Sequence, residues 1–284
     1  MGRSIVREVA AELFGEENAR KMVRSLDIIG DIAIVKIPDE FLDKRFIFGE
    51  RLLERMPYLK VILRQVTPVE GAYRIRSLEH IAGENRKWTV YKEHGVKIKV
   101  DVEKVYFSPR LSTERKRVME LVENGERIVN MFAGAGPYTI LIAKHRDIRI
   151  IHSIDINPVA IHYHLENIFL NKVSDKVILY RGDAGEMIER FIMGKVDRVL
   201  MPLPEIALEY LEYAFKALDN RGWIHVYLHI PYEDTWREAL EKAREIVLNA
   251  VPPGWRVHNA YPHKVREVAT RLLQVCVDTH VSKV

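Results

Sequence analysis

Apolar and polar residues follow two different patterns along the chain, and the change between them falls near residue 105. In the first part, short apolar runs predict four strands: Ile32–Ile37, Tyr58–Gln65, Trp88–Tyr91 and Val96–Val102. A helical pattern covers Asp39–Met56, and His94-Gly95 is typical of a hairpin turn between the last two strands. Residues 1–105 are therefore predicted to form a smaller N-terminal α+β domain.

From Thr113 onward, strands and helices alternate regularly. The predicted strands are Arg127–Met131, Ile148–Ile154, Val177–Tyr180, Val196–Met201, Trp223–Leu228, Trp255–Tyr261 and Val268–Asp278. Helical patterns separate the first six, which predicts an α/β domain over residues 106–284 with a mostly parallel sheet, and the last two strands are expected to be antiparallel. This order resembles the class I S-adenosylmethionine-dependent methyltransferase fold, a Rossmann-like fold with a seven-stranded sheet.

Composition and charge narrow the functional classes. Hydrophobic residues make up 48% of the 284, which excludes intrinsic disorder. Residues 1–117 hold 24 basic and 18 acidic side chains, a net charge of +6, whereas the rest of the chain has a net charge of −2. A basic first half is typical of proteins that bind RNA or DNA, and ordinary surface charge explains it equally well.

Several kinds of site and location are not expected. Cys276 is the single cysteine, which excludes a disulfide framework and a cysteine-based zinc site. No set of His, Asp and Glu has the spacing of metal ligands, so no metal is expected. The chain shows no signal-peptide core and no apolar stretch near the ~18 residues of a membrane helix, which predicts a cytoplasmic protein without a membrane partner.

Three consecutive strand ends carry candidate nucleoside-binding residues. Gly134 and Gly136 follow the first regular strand, Asp155 ends the second, and Asp183 follows the third. The glycines allow a ligand to approach the backbone closely. Asp155 is placed to accept ribose hydroxyls, and Asp183 is placed to meet an adenine amino group, because ligands bind at strand ends in open sheets. Taken singly, each is explained better by a structural role, a tight turn for the glycines and helix caps for Asp155 and Asp183, whereas the three together favour a cofactor site.

Five sequence blocks resemble one family, the archaeal and eukaryotic type of tRNA (guanine-37-N1) methyltransferase. The blocks are Ile29–Val35, His80–Arg86, Tyr106–Arg115, Met131–Gly136 and Asp155–Pro158. The resemblance covers roughly residue 20 to the C-terminus, and the blocks occur in the family's order. It implies S-adenosylmethionine as cofactor and tRNA as partner, recognised at position 37 of the anticodon loop, with tRNA-Phe as the expected tRNA.

The resemblance also assigns roles to residues that spacing alone does not. It implies that Glu114 is the general base and that Arg74 faces the oxygen of the modified base. The alternatives are a solvent-exposed glutamate in the first turn of a helix and an arginine that contacts an RNA phosphate. For the cofactor it implies Arg115, against the methionine carboxylate, and Phe132 in the glycine loop.

The remaining implied residues contact the substrate. Tyr106 and Phe107 match aromatic positions from which a ring can stack on a flipped-out base, although core packing is an equal alternative. Arg110 and Pro204 complete the implied substrate-binding set.

Pro202 separates the branches of the family. The guanine enzymes have Asn-Leu-Pro after the fourth strand, whereas this chain has Pro202-Leu203-Pro204, similar to the branch that methylates C7 of 4-demethylwyosine to give isowyosine, in some members alongside guanine-N1 methylation. An asparagine amide facing the added ring would lose its partner, whereas proline presents an apolar face. The simpler alternative is that Pro202 ends the strand and Pro204 begins a helix.

Three other functions stay open at this point. One is a monofunctional guanine-37-N1 methyltransferase. Another is transfer of an aminocarboxypropyl group, as in a more distant branch, although Gly136-Pro137-Tyr138 and Arg110–Thr113 resemble the methyltransferases more. The last is RNA binding without catalysis, which an intact Glu114 and an intact cofactor triplet disfavour.

Overall fold

The chain forms two compact units in the computed structural model, Met1–Pro109 and Arg110–Val284. The structure describes residues 4–22, 26–68, 71 and 75–284. The division falls after Pro109, whereas the sequence pattern divides the chain after residue 105, so Tyr106 and Phe107 belong to the first unit. Arg74 lies outside the described residues.

The first unit combines helices with a sheet and a separate hairpin. Its described helices are α1 (Ile5–Phe14), α2 (Glu16–Ala19) and α3 (Arg45–Arg55), and its strands are β1 (Asp27–Ile29), β2 (Ile32–Val35), β3 (Val61–Gln65), β4 (Leu78–Gly83), β5 (Trp88–Glu93) and β6 (Val96–Asp101). Strands β1 to β4 form one sheet in that order, in which only the pair β2–β3 is parallel. The α+β prediction is thereby confirmed.

One detail of the first unit differs from the sequence pattern, and one agrees with it. The helix predicted over Asp39–Met56 is divided into a 3-10 segment, Asp39–Lys44, and α3. The hairpin of β5 and β6 turns at His94-Gly95 as predicted, with φ of 42° and 78°, the left-handed conformation that two-residue hairpin turns require.

The second unit is built around a seven-stranded sheet. Its elements are α4 (Ser112–Leu121), β7 (Arg127–Asn130), α5 (Pro137–His145), β8 (Ile150–Asp155), α6 (Pro158–Asn171), β9 (Val177–Arg181), α7 (Ala184–Met187), β10 (Val196–Met201), α8 (Leu211–Ala217), β11 (Leu218–Pro231), α9 (Trp236–Asn249), β12 (Trp255–Ala269) and β13 (Leu272–Lys283). The strand order is β12-β13-β11-β10-β7-β8-β9. Strands β7 to β11 pair in parallel, and β13 is antiparallel to both of its neighbours, so the predicted sheet is confirmed.

The strand order places a crevice at the middle of this sheet. The chain passes from β7 outward to β8 and β9, then returns to the other side of β7 for β10 and β11. In parallel sheets, ligands bind at the carboxyl ends of the strands where the order reverses in this way. Here that point lies between β7 and β10.

Apolar packing against the covering helices holds these strand ends in place. Val129, Ile154, Val199 and Val226 are fully buried and belong to one cluster with residues of the covering helices. Such a core leaves little freedom for the loops that leave it. Over the part of the chain that the structure describes, no helix has the length and apolar character needed to cross a lipid bilayer.

Candidate active site

The loop between β7 and α5 has the geometry of a nucleotide-binding turn. Gly134 and Gly136 both adopt positive φ, 56° and 84°. A Cβ atom on Gly136 would lie 2.3 Å from the Nε2 atom of His164, so only glycine fits there. Pro137 occupies the first turn of α5, where its missing N–H costs no hydrogen bond. The loop therefore turns tightly and leads directly into the start of a helix.

Asp155 is held by this loop at the end of β8. Its Oδ2 atom accepts the N–H of Gly134 at 2.6 Å, and its Oδ1 atom accepts the N–H of Asn157 at 2.9 Å. The side chain of Asn157, not of Asp155, caps α6, so the cap explanation for Asp155 is wrong. Burial raises the pKa of Asp155, and the two N–H donors act in the opposite direction. Each oxygen retains a lone pair that a ribose hydroxyl can use.

Asp183 follows β9 and does cap a helix. Its Oδ1 atom accepts the N–H of Glu186 at 3.1 Å in α7, and its Oδ2 atom accepts the hydroxyl of Tyr210. The bond to Asp183, with burial, raises the pKa of Tyr210 to about 12. The Phe132 ring packs edge-on against Tyr210, with centroids 5.3 Å apart. Phe132, Asp183 and Tyr210 thus form one patch at the strand ends.

Two buried polar side chains beside the loop have atoms without a hydrogen-bond partner among the described residues. These atoms are both ring nitrogens of His164 and the Oδ1 atom of Asn130, whose Nδ2 atom donates to Thr139 at 3.3 Å. Burial lowers the pKa of His164 to about 3, so its ring is neutral. By contrast, His162 is exposed, so the two histidines face different sides of α6. Unsatisfied polar atoms and a left-handed glycine loop fit a polar ligand at this edge of the sheet.

Glu114 lies in the first turn of α4 and is only 6% exposed. The explanation that it is a solvent-exposed glutamate is therefore wrong. Arg117 donates to both of its oxygens, at 2.7 and 2.8 Å, and the hydroxyl of Tyr227 donates at 2.8 Å. A buried carboxylate with three donors has one fixed orientation.

The hydrogen bonds continue from Glu114 to the first turn of α5. The hydroxyls of Tyr227 and Tyr138 lie 3.0 Å apart, and Tyr138 is in the first turn of α5. Because the proton of Tyr227 is used on Glu114, Tyr138 is the donor to Tyr227. Burial raises the pKa of both tyrosines, so both stay protonated as donors.

On its other side Arg117 binds Asp278, with an Nη1–Oδ2 distance of 2.5 Å. Asp278 also accepts from His225 Nδ1 at 2.6 Å, and the other ring nitrogen of His225 accepts from Arg198 at 2.8 Å. Burial would raise the pKa of Asp278, but His225, His263 and Arg117 hold it well below the usual range of an aspartate. Asp278 is thereby kept charged within a buried network that also contains Arg117 and Glu114.

His225, Cys276 and Asp278 bring three atoms of metal-ligand type within 4.8 Å of one another. The hydrogen bonds described above use both nitrogens of His225, and Cys276 donates to Asp278 at 3.3 Å. The guanidinium of Arg117 already balances the carboxylate charge. This cluster is therefore explained as an ion-pair network, and it carries no metal assignment.

Pro202 stands directly after β10, at the strand beside β7. Pro202 and Leu203 are partly exposed and Pro204 is buried. Residues 204–210 form turns and α8 begins only at Leu211, so the explanation that Pro204 begins a helix is wrong. Pro202 does end the strand. It lies at the carboxyl end of β10, the same end of the sheet as the glycine loop between β7 and α5.

The other candidate residues lie at varied depths. Arg115 is buried at 1% exposure, and Arg110 is exposed. Phe107 is 8% exposed, and its ring packs edge-on against Tyr91, with centroids 5.1 Å apart, so core packing accounts for it and stacking on a substrate does not. Tyr106 remains partly exposed in the first unit.

Sequence reasoning missed four residues of this site. Tyr210 lies within the helical pattern of residues 206–218. The helix itself, α8, begins at Leu211, one residue after Tyr210. Arg117, Tyr227 and Asp278 carry no motif, and two of them reach Glu114 or Arg117 from strands more than 100 residues away in sequence. The signal for Arg117 was available, because it lies three residues after Glu114 on the same helix.

Two family models match the chain. The TRM5/TYW2 methyltransferase domain matches residues 89–250, and the TYW2 N-terminal domain matches residues 6–86.

Among curated relatives, the tRNA (guanine(37)-N(1))-methyltransferase Trm5b of Pyrococcus abyssi is 40% identical over 267 residues, 94% of this chain and 78% of the relative. The tRNA 4-demethylwyosine(37)-methyltransferase Taw21 of Saccharolobus solfataricus is 36% identical over 249 residues, 86% of this chain and 92% of the relative. The tRNA (guanine(37)-N(1))/4-demethylwyosine(37)-methyltransferase Taw22 of Nanoarchaeum equitans is 39% identical over 204 residues, 69% of this chain and 67% of the relative.

Solved structures of the same family are similar to this chain over nearly its whole length. The complex of aTrm5 with tRNALeu matches with a TM-score of 0.78 at 32% identity, over 99% of this chain and 79% of that one. TYW2 of P. horikoshii in complex with MeSAdo matches with a TM-score of 0.78 at 26% identity, over 98% of both chains. The names of these relatives thus include both guanine and demethylwyosine enzymes.

Proposed function

Since the chain belongs to the TRM5/TYW2 family of S-adenosylmethionine-dependent tRNA methyltransferases, we propose that it methylates the base at position 37 of tRNA. The preferred substrate is 4-demethylwyosine, which is methylated at C7 to give isowyosine. Guanine-N1 methylation is a second activity of the same site, as the name of the 39% identical Taw22 relative suggests. The expected tRNA is tRNA-Phe.

The observation that carries the substrate choice is Pro202. It lies at the carboxyl end of β10, next to β7 and the cofactor loop. Guanine presents an N1–H and an amino group that an asparagine amide can bind. In the tricyclic base these nitrogens are part of an added ring, and a buried amide without a partner costs roughly 1–3 kcal/mol. Proline avoids that cost and offers an apolar face to the ring.

The cofactor residues are proposed at the strand ends. When bound, S-adenosylmethionine supplies a methyl group on a positively charged sulfur. Asp155 accepts the ribose hydroxyls, a role supported by its free lone pairs and its anchoring by Gly134. Asp183 and Phe132 bind the adenine, supported by their shared contact with Tyr210. Arg115 binds the methionine carboxylate.

Glu114 is proposed as the general base. Methylation of a ring carbon or of N1 leaves a proton to be removed, and a carboxylate at the reacting atom can take it. Support comes from its burial and from the donors Arg117 and Tyr227, which fix both oxygens. Arg74 stabilises negative charge on the base oxygen.

The base itself is held by fewer residues than the sequence suggested. Tyr106 stacks on the flipped-out base, and Arg110 and Pro204 complete the contacts. Phe107 is not part of this proposal, because it packs against Tyr91.

A monofunctional guanine-37-N1 methyltransferase is the second candidate. It is favoured by the 40% identity to the Trm5b relative, whose name is that activity. Aminocarboxypropyl transfer is weaker, because Gly136-Pro137-Tyr138 and Arg110–Thr113 resemble the methyltransferases more.

Mass spectrometry of nucleosides separates these functions. Purified protein and S-adenosylmethionine are incubated with two tRNA-Phe samples, one with guanine and one with 4-demethylwyosine at position 37. The proposal expects isowyosine from the second sample as the faster product. An aminocarboxypropyl adduct, or methylated guanine with untouched demethylwyosine, would contradict it.

A further inference from the structure

The hairpin of β5 and β6 presents an unusual outer face. Trp88, Val90 and Lys92 alternate on one strand and lie opposite Asp101, Lys99 and Lys97 on the other. Trp88 is 44% exposed, although the other face of the hairpin buries Thr89, Val96, Ile98 and Val100. The outer face thus combines an exposed aromatic ring with three lysines.

Lys92 and Lys97 concentrate positive charge on the outer face. The two residues are direct cross-strand partners, and both are exposed. Like charges directly opposite each other repel. A bound anion reduces that repulsion, so the pair suits an anionic ligand.

Trp88 lies within a charged and rigid setting. The Arg86 guanidinium is 5.2 Å from the ring centroid, and the ammonium of Lys99 is 5.0 Å from it. Arg86 cannot move freely, because it donates to both oxygens of Asp31, at 2.6 and 3.1 Å, and to Glu84 at 2.7 Å. The ring is therefore held in place beside two cations.

A groove of about 640 Å³ runs beside this ring. Gly30, Asp31, Arg86, Trp88, Tyr91 and Lys92 are among its lining residues. The close approach of Gly30 shapes it, since a Cβ atom there would lie 2.3 Å from the Thr89 hydroxyl. Its volume is in the range of small-molecule sites, about 300–1,000 Å³, and accommodates a nucleotide.

We propose that this groove and the lysine face bind an unpaired stretch of the tRNA, with a base stacked on Trp88 and phosphates on Lys92 and Lys97. The inference rests on the proposed function, because that function supplies the RNA. Aromatic stacking beside a row of cations is the common way in which proteins bind single strands. A duplex does not fit, since its bases are already stacked on one another and give the ring no exposed face.

Binding assays with defined RNA test the proposal without any methyl transfer. Wild type, Trp88→Ala, Trp88→Phe and the double variant Lys92→Ala/Lys97→Ala are titrated with tRNA, with single-stranded oligouridylate and with a duplex of equal length. The control is Lys36→Ala/Lys242→Ala, which removes two exposed lysines elsewhere in the chain.

Trp88→Ala should weaken oligouridylate binding about 5- to 150-fold, the value of one stacked base, and Trp88→Phe should restore most of it. The lysine double variant should reduce the slope of log affinity against log salt by about 1.4, since each single-strand phosphate contact contributes about 0.7. The Lys36/Lys242 control should leave this slope unchanged. Melting temperatures verify that each variant is folded.

Equal binding of oligouridylate by wild type and Trp88→Ala would overturn the proposal, as would an equal loss of duplex binding. So would a loss in the Lys36/Lys242 control that matches the lysine double variant, because only total charge would then matter. These results are independent of the proposed reaction. A protein that binds oligouridylate through Trp88 and methylates neither tRNA would disprove the reaction and leave the RNA surface standing.

Discussion

The buried network around Glu114 and the outer face of the β5–β6 hairpin use the same residue types in opposite ways. In the network, Arg117 lies between two carboxylates, Glu114 and Asp278, and each carboxylate has further donors. On the hairpin, Lys92 faces another lysine across the strands, and Trp88 is exposed to solvent. One region pairs its charges in a buried network, whereas the other carries like charges side by side on an exposed face.

The difference indicates what each region does. Buried charges must be paired, because desolvation is costly, and pairing fixes their orientation. That suits a group that must meet one atom of a substrate. Exposed like charges suit a flexible polyanion, whose binding depends on salt. We therefore expect changes in the network to alter the rate of reaction, and changes on the hairpin to alter RNA affinity.

The largest expected effect comes from Glu114→Gln, which retains size and loses basicity. The chemical step should slow by ~10²–10⁴-fold, because proton removal loses its acceptor. Affinity for tRNA should change little. Single-turnover methylation with saturating tRNA measures the step, and Glu120→Gln, on the same helix and exposed, is the matched control. A rate within a few-fold of wild type would contradict the assignment of Glu114.

The second largest effect is expected from Asp155→Ala, which should weaken S-adenosylmethionine binding. Two hydrogen bonds to a charged acceptor are lost, roughly 2–4 kcal/mol of binding free energy or about 30- to 700-fold in affinity. Calorimetry measures this directly. Asp175→Ala, after α6 and outside the strand ends, serves as the control. Unchanged affinity in Asp155→Ala would remove this strand end from the cofactor site.

Pro202→Asn should shift the substrate preference toward guanine. The expected change is roughly 1–3 kcal/mol, or about 5- to 150-fold in relative kcat/KM, since one or two neutral hydrogen bonds are involved. Replacing proline also frees the backbone φ angle, so circular dichroism melting must accompany the kinetics. A preference that does not move, in a variant that melts like wild type, would show that Pro202 only ends β10.

The last prediction concerns His164 and acid, and its effect accumulates with each pH unit. Its pKa is about 3 in the folded chain, against about 6.5 in an unfolded one, so the unfolded state binds more protons between these values. The free energy of unfolding should therefore fall by about 1.4 kcal/mol per pH unit from pH 6.5 downward. His164→Leu should lose this contribution, whereas the exposed His162→Leu should retain it. Denaturant titrations at several pH values measure both, and parallel slopes would contradict the prediction.

How much the sequence predicts depends on how local each feature is. The glycine loop and Asp155 lie within about 25 residues of each other on consecutive elements, so their meeting follows from the strand pattern. Glu114 was recognised by resemblance, but its partners Tyr227 and Asp278 lie 113 and 161 residues from Glu114 and Arg117 along the chain. Pairings of that kind depend on the tertiary fold and leave no local pattern. The burial of Phe107 is another case, because it depends on its contact with Tyr91.

Strand and helix limits show the same dependence. The first closing strand was predicted short, as Trp255–Tyr261, and the second was predicted to begin four residues early, as Val268–Asp278, whereas β12 and β13 run over Trp255–Ala269 and Leu272–Lys283. The many exposed and charged residues of β12 mask its strand pattern. Pairing along β11 and β13 extends them beyond what hydrophobicity indicates.

The central claim is tested most directly by competition between the two tRNAs in one reaction. Equal amounts of guanine-37 and 4-demethylwyosine-37 tRNA-Phe are mixed with limiting protein, and the initial rates of the two products are measured by mass spectrometry. The account predicts isowyosine in excess over N1-methylguanine. Efficient formation of N1-methylguanine with demethylwyosine left unmodified would contradict it, and would identify a guanine-N1 methyltransferase in which Pro202 replaces the asparagine.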